Sequence, residues 1–388
     1  VKDALEVAGV RSTGGAVELA DHVPAADAPV VARLRAAGAV VLGKTNVPAW
    51  SGDIQTFNDL FGTTANPWDP SRTPGGSSGG PAVAVATGMS AFETGTDIGG
   101  SIRTPSGWCG VCGHKPTFGV VPQRGYLDHV AGGRTDADIN VVGPIARSVR
   151  DLAMLLDVVA GPLPAEGRGW SLSLPPSGWA GDVAALRVGT WFGDAAAPVD
   201  PAVAEVLEAA ASALAAAGAG VTDARPGFAM AEAAAVFSGL ITAAVSVSFP
   251  DDGGFADAVS GSHRQWLRLD ERRAALQAAW ESFFDGHDVL LAPVMPVGAF
   301  PHDHSGDITT RTVDVAGVAT PHVALITWAG IVGVAGLPST VVPAGRVGGV
   351  PVGIQVVGRR FADRTTLAVA ALLEELLGGY RPPPIAVG

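Results

Sequence analysis

The sequence predicts one α/β domain with a central mixed, mostly parallel twisted sheet covered by helices on both faces. Short valine-rich runs alternate with helical patterns of about 10–20 residues along the chain, the order that builds a sheet with crossover helices. Hydrophobic residues make up 47% of the 388 residues and charged residues only 16%, which is ample material for a large core. The 52 glycines and 29 prolines punctuate periodic segments and form no low-complexity tract, so disorder is not expected.

Taken in order, residues 28–38 (APVVARLRAAG) form an amphipathic helix ending at Gly38, and residues 39–42 (AVVL) a buried strand. Residues 47–70 are loop-rich and close on the turn NPWDP. Their aromatics, Trp50, Phe57, Phe61 and Trp68, either line a pocket or pack beneath the loop. Residues 81–90 are a short apolar element with proline at its start, where a helix tolerates it best. Residues 142–161 read as a strand end, a proline turn and an amphipathic helix burying Ala146, Val149, Leu152, Ala153 and Leu156. The Pro/Gly/Ser-rich residues 162–179 are the expected linker. Residues 186–191, 200–218 and 219–224 make a βαβ unit with Asp200 as cap and Pro201 at the helix start, whose parallel pairing requires a right-handed crossover. Residues 229–279 are mostly helical, 288–296 a buried strand, 336–345 and 350–360 two late strands, and 365–378 a closing helix.

The net charge of −12 and the lack of any basic run argue against a nucleic-acid surface, which needs clustered lysine and arginine. No apolar run reaches the roughly 20 residues of a membrane span, so a soluble, cytoplasmic protein is expected. Cys109 and Cys112 form a CxxC without a second pair, too little for structural zinc, and are read as small buried packing residues. His302 and His304 lack a matching third ligand and are read as solvated. No metal and no organic cofactor is expected.

Chemistry is concentrated in residues 73–119. Gly75, Gly76, Gly79 and Gly80 surround Ser77 and Ser78, and Gly99 and Gly100 precede Ser101. Glycines at both places let the backbone turn sharply and approach a ligand closely. Successive N–H groups over Ile98, Gly99, Gly100 and Ser101 then form a candidate oxyanion hole. A phosphate-loop reading of GGSSGG fails, because the run lacks the terminal Lys-Ser/Thr and the GxGxxG order.

These residues resemble the amidase signature family of serine hydrolases, which shares GGSSGG, then G(T/S)D(I/T)GGSIR, then CGxxGxKPT. In that family the first serine of GGSSGG and the serine of GGSIR form a triad with a lysine on a K(D/E) step about 75 positions before the first serine. Lys2 stands 75 positions before Ser77, so the resemblance implies the triad Lys2, Ser77 and Ser101. It also implies a strained, cis-capable Gly76–Ser77 peptide. The family carries a helical segment and a strand ahead of this lysine, so the sequence is expected to begin inside the domain. Lys44, in GKTN, is a family feature to which the resemblance gives no catalytic role, and it is read as a residue at the end of the 39–42 strand. The segment after GKTN helps wall the family's acyl pocket, which makes Trp50, Ser51, Gly52, Asp53 and Gln55, with Thr96, the expected substrate-binding residues. The resemblance extends over most of the chain, with its specific motifs confined to Gly43 to Gly119, and implies one domain over residues 1–388, with a catalytic core at 1–160, a variable substrate-side part at about 163–285 and closing strands and helix at 286–388.

The implied chemistry is attack of Ser101 on a carboxylic amide, with Ser77 relaying the proton to a desolvated, neutral Lys2 and water releasing the acyl group. Asp97 is read as structural, because a carboxylate beside an oxyanion hole would oppose the developing charge; it would accept backbone hydrogen bonds in the turn. The partner is a small-molecule amide, with esters or carbamates as further substrates, acted on by a monomer or homodimer. The runner-up is the glutaminase subunit of a tRNA-dependent amidotransferase, which carries the same motifs and requires a partner subunit.

Overall fold

The computed structural model describes residues 1–127, 133–248 and 261–385. Helix α1 (Pro29–Ala36) carries proline in its first turn and buries Val30, Val31 and Leu34. Helix α2 (Gly79–Ala86) is followed by strand β1 (Phe92–Asp97) and by α3 (Arg103–Cys109), which ends on the left-handed Gly110. Strands β2 (Cys112–Lys115) and β3 (Val141–Ala146) lead to α4 (Val149–Val159). The side chain of Ser148 caps α4 by accepting the N–H of Asp151, and Val149, Leu152, Leu155, Leu156 and Val159 are buried.

The expected βαβ unit is present as β4 (Arg187–Thr190), α5 (Pro201–Ala216) and β5 (Gly220–Asp223), with the Asp200 side chain accepting from Ala202 N. Helices α6 (Met230–Val245) and α7 (His263–Gly286) follow, α7 opened by a Ser262/Gln265 capping box. The intervening part of the mostly helical 229–279 stretch, residues 249–260, lies outside the described residues. Strand β6 (Val289–Pro293), helix α8 (Thr327–Val334), strands β7 (Ser339–Val347) and β8 (Val350–Val357) and helix α9 (Asp363–Leu377) complete the domain.

The eight strands form one mixed sheet in the order β1-β3-β2-β7-β8-β6-β4-β5. It is not mostly parallel, as the alternation of strands and helices suggested. Only β4 pairs in parallel, with β5 and with β6, while five of the seven junctions are antiparallel. Among the described residues the only helical crossover between sequential sheet neighbours is α5; β7 and β8 are joined by the tight turn Gly348-Gly349, both with positive φ, and strands far apart in the chain, such as β2 and β7, also meet antiparallel.

Both faces are covered. On one, α1, α4, α5 and α9 bring Leu34, Leu152, Leu156, Leu207 and Leu373 onto Val142, Ile354 and Val356. On the other, α6, α7 and α8 pack Phe237, Leu240, Trp280 and Trp328 onto Leu290 and Val357, and α2 and α3 seat Val85 and Ile102 against Ile145. Neighbouring positions such as Val356 and Val357 serve opposite cores, as strand alternation demands.

Residues 39–42 do not form the expected buried strand. Val40 is 81% and Leu42 79% exposed. An apolar run becomes a buried strand only where it is paired and covered, and this one contributes no ladder; its neighbour Thr45 makes a single parallel bridge to Lys2. Among the described residues no helix is long and apolar enough to cross a membrane.

Candidate active site

The site is assembled by two turns and one arm of the chain. Strand β1 delivers Thr96 and Asp97, both buried, to the turn 98–101, and α3 begins immediately after it. Asp97 holds this turn, accepting the N–H groups of Gly100 (2.8 Å), Ile102 (3.1 Å) and Arg103 (3.3 Å). The Arg103 side chain pairs with the same carboxylate through Nη2 (2.8 Å) and Nε (3.0 Å). Burial pushes the Asp97 carboxyl up, but Arg103 and the backbone donors outweigh it and hold it down at about 2. Through Nη1, Arg103 also donates to Ala329 O on α8 and to Gln355 Oε1 on β8, so the turn is anchored to the sheet centre.

The Asp97 contacts narrow the expected oxyanion hole. The Gly100 N–H is committed to Asp97, which removes it as a free donor, whereas the N–H groups of Ile98, Gly99 and Ser101 take part in no hydrogen bond among the described residues. Gly100 is instead required by shape: its φ is 112°, and a Cβ there would stand 2.9 Å from both Ala329 Cβ and Thr104 Oγ1.

The GGSSGG turn enters α2, and its Gly76–Ser77 peptide is cis. At Gly76 a Cβ would come within 2.6 Å of Asp53 O and 2.7 Å of Gln55 O, so residues 53–55 lie flat against the turn. Ser78 ties the two turns together, its N–H donating to Ser101 O (3.1 Å) and its hydroxyl to Thr96 O (3.3 Å).

Lys2 enters from the N-terminal arm. Its Nζ lies 2.7 Å from Ser77 Oγ and 2.6 Å from Thr96 Oγ1, with the lysine wholly buried. Burial pushes its ammonium well below the ordinary lysine value, and the negative charge of Asp97 works in the opposite direction. The structure thus brings Lys2 and Ser77 into contact. Among the described residues no hydrogen bond joins Ser77 to Ser101, and Ser101 is the most accessible of the three at 8% exposed.

The residues expected to bind substrate divide differently from the expectation. The Thr96 hydroxyl is spent on Lys2, which makes it a partner of the amine. Asp53 receives Arg311 Nη1 at 2.6 Å and lies 3.2 Å from His322 Nε2. Gln55 spans the Asp303 backbone, donating to its carbonyl (3.0 Å) and accepting its N–H (2.8 Å). Both side chains therefore fasten the 303–311 loop onto the segment that backs Gly76. Trp50 and Ser51 lie in a short 3-10 turn (Ala49–Ser51) capped by Gly52, with φ of 53° and 57°. Ser51 Oγ is buried with no hydrogen-bond partner.

The aromatics do not share one environment, and Phe61 is 45% exposed. Phe57 stacks on His304 at 4.0 Å, Phe61 lies under Arg11, and Trp68 sits under Arg346 while donating to Cys109 O. Cys109 and Cys112 are free and buried, with burial raising both thiols. His302 Nε2 lies 3.0 Å from Thr64 O, and among the described residues no cluster of three or more His, Cys, Asp or Glu can hold a metal. Sequence reasoning assigns no role to Arg103 or Ser78, although Ser78 stands in GGSSGG and Arg103 in GGSIR, two positions after Ser101.

The Amidase family model matches residues 1–257 and 233–367. A glutamyl-tRNA(Gln) amidotransferase subunit from Roseiflexus sp. (strain RS-1) is 32% identical over 408 residues, covering 95% of this chain and 80% of its own. The crystal structure of the Thermotoga maritima protein of the same name superposes with a TM-score of 0.83 at 27% identity, over 100% of this chain and 85% of that one. 6-Aminohexanoate cyclic dimer hydrolase superposes with a TM-score of 0.82 at 28% identity, over 99% of this chain and 85% of that one. With the motif turns, the sheet and the family match in agreement along its length, the chain belongs to the amidase family.

Proposed function

We propose that this chain hydrolyses the C–N bond of a carboxylic amide through an acyl-enzyme on Ser101, with Ser77 and Lys2 as relay and base. The single observation that carries the reading is the buried 2.7 Å contact between Lys2 Nζ and Ser77 Oγ. Burial favours the neutral amine, the form that can accept a proton, whereas an exposed lysine stays an ammonium at neutral pH. In this reading Ser101 Oγ attacks the carbonyl, its proton passes through Ser77 to Lys2, and the free N–H groups around Ile98, Gly99 and Ser101 receive the oxyanion. The protonated lysine returns the proton to the leaving nitrogen, and water attacks the acyl-enzyme by the same route.

For the substrate, the names of the relatives favour the amidotransferase-subunit reading, with glutamine as amide donor and partner subunits, over a stand-alone hydrolase of apolar amides. One observation supports the stand-alone reading. Gly99 is walled by Ile326, Ile241 and Phe237, an apolar surface beside the oxyanion turn, to which residues 163–285 contribute through α6. Ammonia release from L-glutamine, measured beside hydrolysis of anilides, alkyl amides, esters and carbamates with Ser101→Ala as blank, tests both. Turnover of glutamine alone supports the subunit reading. Turnover of apolar amides without a partner supports the other. Activity that persists in Ser101→Ala contradicts the shared mechanism.

A further inference from the structure

Lys44 is more than the strand end that its sequence position suggested. Its side chain is 10% exposed, and its ammonium donates to Leu5 O (2.6 Å) and Ser12 Oγ (2.8 Å) and pairs with Asp3 Oδ1 (3.1 Å). All three partners lie on the arm that carries Lys2. The next residue, Thr45, accepts the N–H of Asp3 and donates its own to Val1 O, each at 3.0 Å, so its backbone brackets Lys2 on both sides. The 39–45 segment thus holds the lysine arm twice, by backbone at Thr45 and by side chain at Lys44.

The partner carboxylate has a second consequence. Asp3 is 3% exposed and adjacent to Lys2; its Oδ2 accepts from Thr13 N (3.1 Å) and Thr13 Oγ1 (2.5 Å), while Oδ1 faces Lys44. Without Lys44 that carboxylate is a buried charge left unpaired on the arm that carries the base, and water drawn to it breaks the seal around Lys2, which favours the protonated amine. The other charged groups facing this region are Asp97 toward Lys2, Glu93 and Glu6 toward Lys44, the Val1 amino group on Glu93, and Arg103 and Lys115 on Asp97.

We propose that Lys44 is a positioning residue for the Lys2 base: it clamps the arm through Leu5, Ser12 and Asp3, and it neutralises the buried Asp3 carboxylate on that arm. This rests on the acyl-enzyme reading above, with Lys2 as base.

The test is the second-order rate of labelling by a fluorophosphonate as a function of pH, with the modified residue mapped by mass spectrometry. Lys44→Met is expected to lower the rate at neutral pH at least tenfold and to displace the rising limb to higher pH. Adding Asp3→Asn to Lys44→Met is expected to return the limb toward that of the wild type while the rate stays reduced. A Lys44→Met profile superimposed on the wild type overturns the proposal. So does a profile lowered equally at every pH with no recovery of its position in the double variant, since that is a loosened fold alone. Where Lys44→Met does not fold, the double variant has no unpaired buried charge and carries the test: rate and limb both equal to the wild type overturn the proposal. A wild type unlabelled at Ser101, or a Lys2→Ala variant labelled as fast as the wild type, defeats the underlying reading instead.

Discussion

Lys2 Nζ stands 2.7 Å from Ser77 Oγ and 2.6 Å from Thr96 Oγ1, with Lys2 0% and Ser77 1% exposed. An ammonium so placed has two hydroxyl partners and is shut off from bulk solvent, and the carboxylate that acts on it, Asp97, is already paired with Arg103. The neutral amine is the form this environment favours.

Lys2→Met tests both sides of that balance. Loss of the base is expected to reduce turnover by about 10²–10⁴-fold. Stability should move the other way. The folded value of Lys2 is depressed, so the unfolded chain binds more protons between the folded and the ordinary value of 10.5. The burial penalty is therefore full below the folded value and fades as pH rises toward 10.5. Denaturant melts should show Lys2→Met more stable than the wild type at pH 6, with the gain shrinking at pH 10. In the wild type, kcat should rise with pH along a limb lying below the ordinary lysine value.

Thr96→Val removes one of the two hydroxyls that orient the amine while keeping the shape of the side chain. A net hydrogen bond of about 1–1.5 kcal/mol corresponds to roughly tenfold in rate. The expected signature is a drop of that size in kcat with KM unchanged, because the Thr96 hydroxyl is bonded to Lys2. A raised KM with unchanged kcat would return Thr96 to the substrate-binding set.

Arg103→Met leaves the Asp97 carboxylate buried without its guanidinium, at an expected cost of about 3–5 kcal/mol. The pair also sets an acid window. The folded Asp97 value is held at about 2 against an ordinary 3.8, so its stabilisation is complete above 3.8 and is lost as pH falls toward 2. Urea midpoints measured from pH 7 to pH 2 should show this loss in the wild type. In Arg103→Met this acid loss should be absent or reversed, because burial without the guanidinium pushes the folded Asp97 value up and the folded state then takes up the proton at least as readily as the unfolded chain.

Much of this architecture is local and therefore legible in the sequence. The β4–α5–β5 unit follows from a cap at Asp200, a proline at the first turn and period-3.6 burial, all properties of neighbouring residues. The spacing of Lys2 and Ser77 carried the contact between them, because a long motif match fixes which residues correspond. What was not legible depends on partners far along the chain. Residues 39–42 have the composition of a buried strand, yet Val40 and Leu42 are exposed, since burial is decided by what lies alongside. Asp53 and Gln55 read as pocket polars until His322, Arg311 and Asp303, some 250 positions away, are seen to occupy them (|i−j| of 269, 258 and 248). Lys44 read as a strand end for the same reason: its partners Leu5 and Ser12 sit 39 and 32 positions before it. The antiparallel majority of the sheet likewise follows from pairings such as β2 with β7, which no local pattern encodes.

The assignment of Ser101 as the attacking hydroxyl, rather than Ser77, is the centre of the account. Ser101 is the more accessible at 8% exposed and lies beside the free N–H groups, whereas the hydroxyl of Ser77 is engaged with Lys2. Mass-spectrometric mapping of the covalent adduct formed with a fluorophosphonate tests it most directly. The expected result is a single adduct on the peptide containing Ser101, absent in Ser101→Ala and strongly slowed in Ser77→Ala; an adduct on Ser77 that survives Ser101→Ala would contradict it.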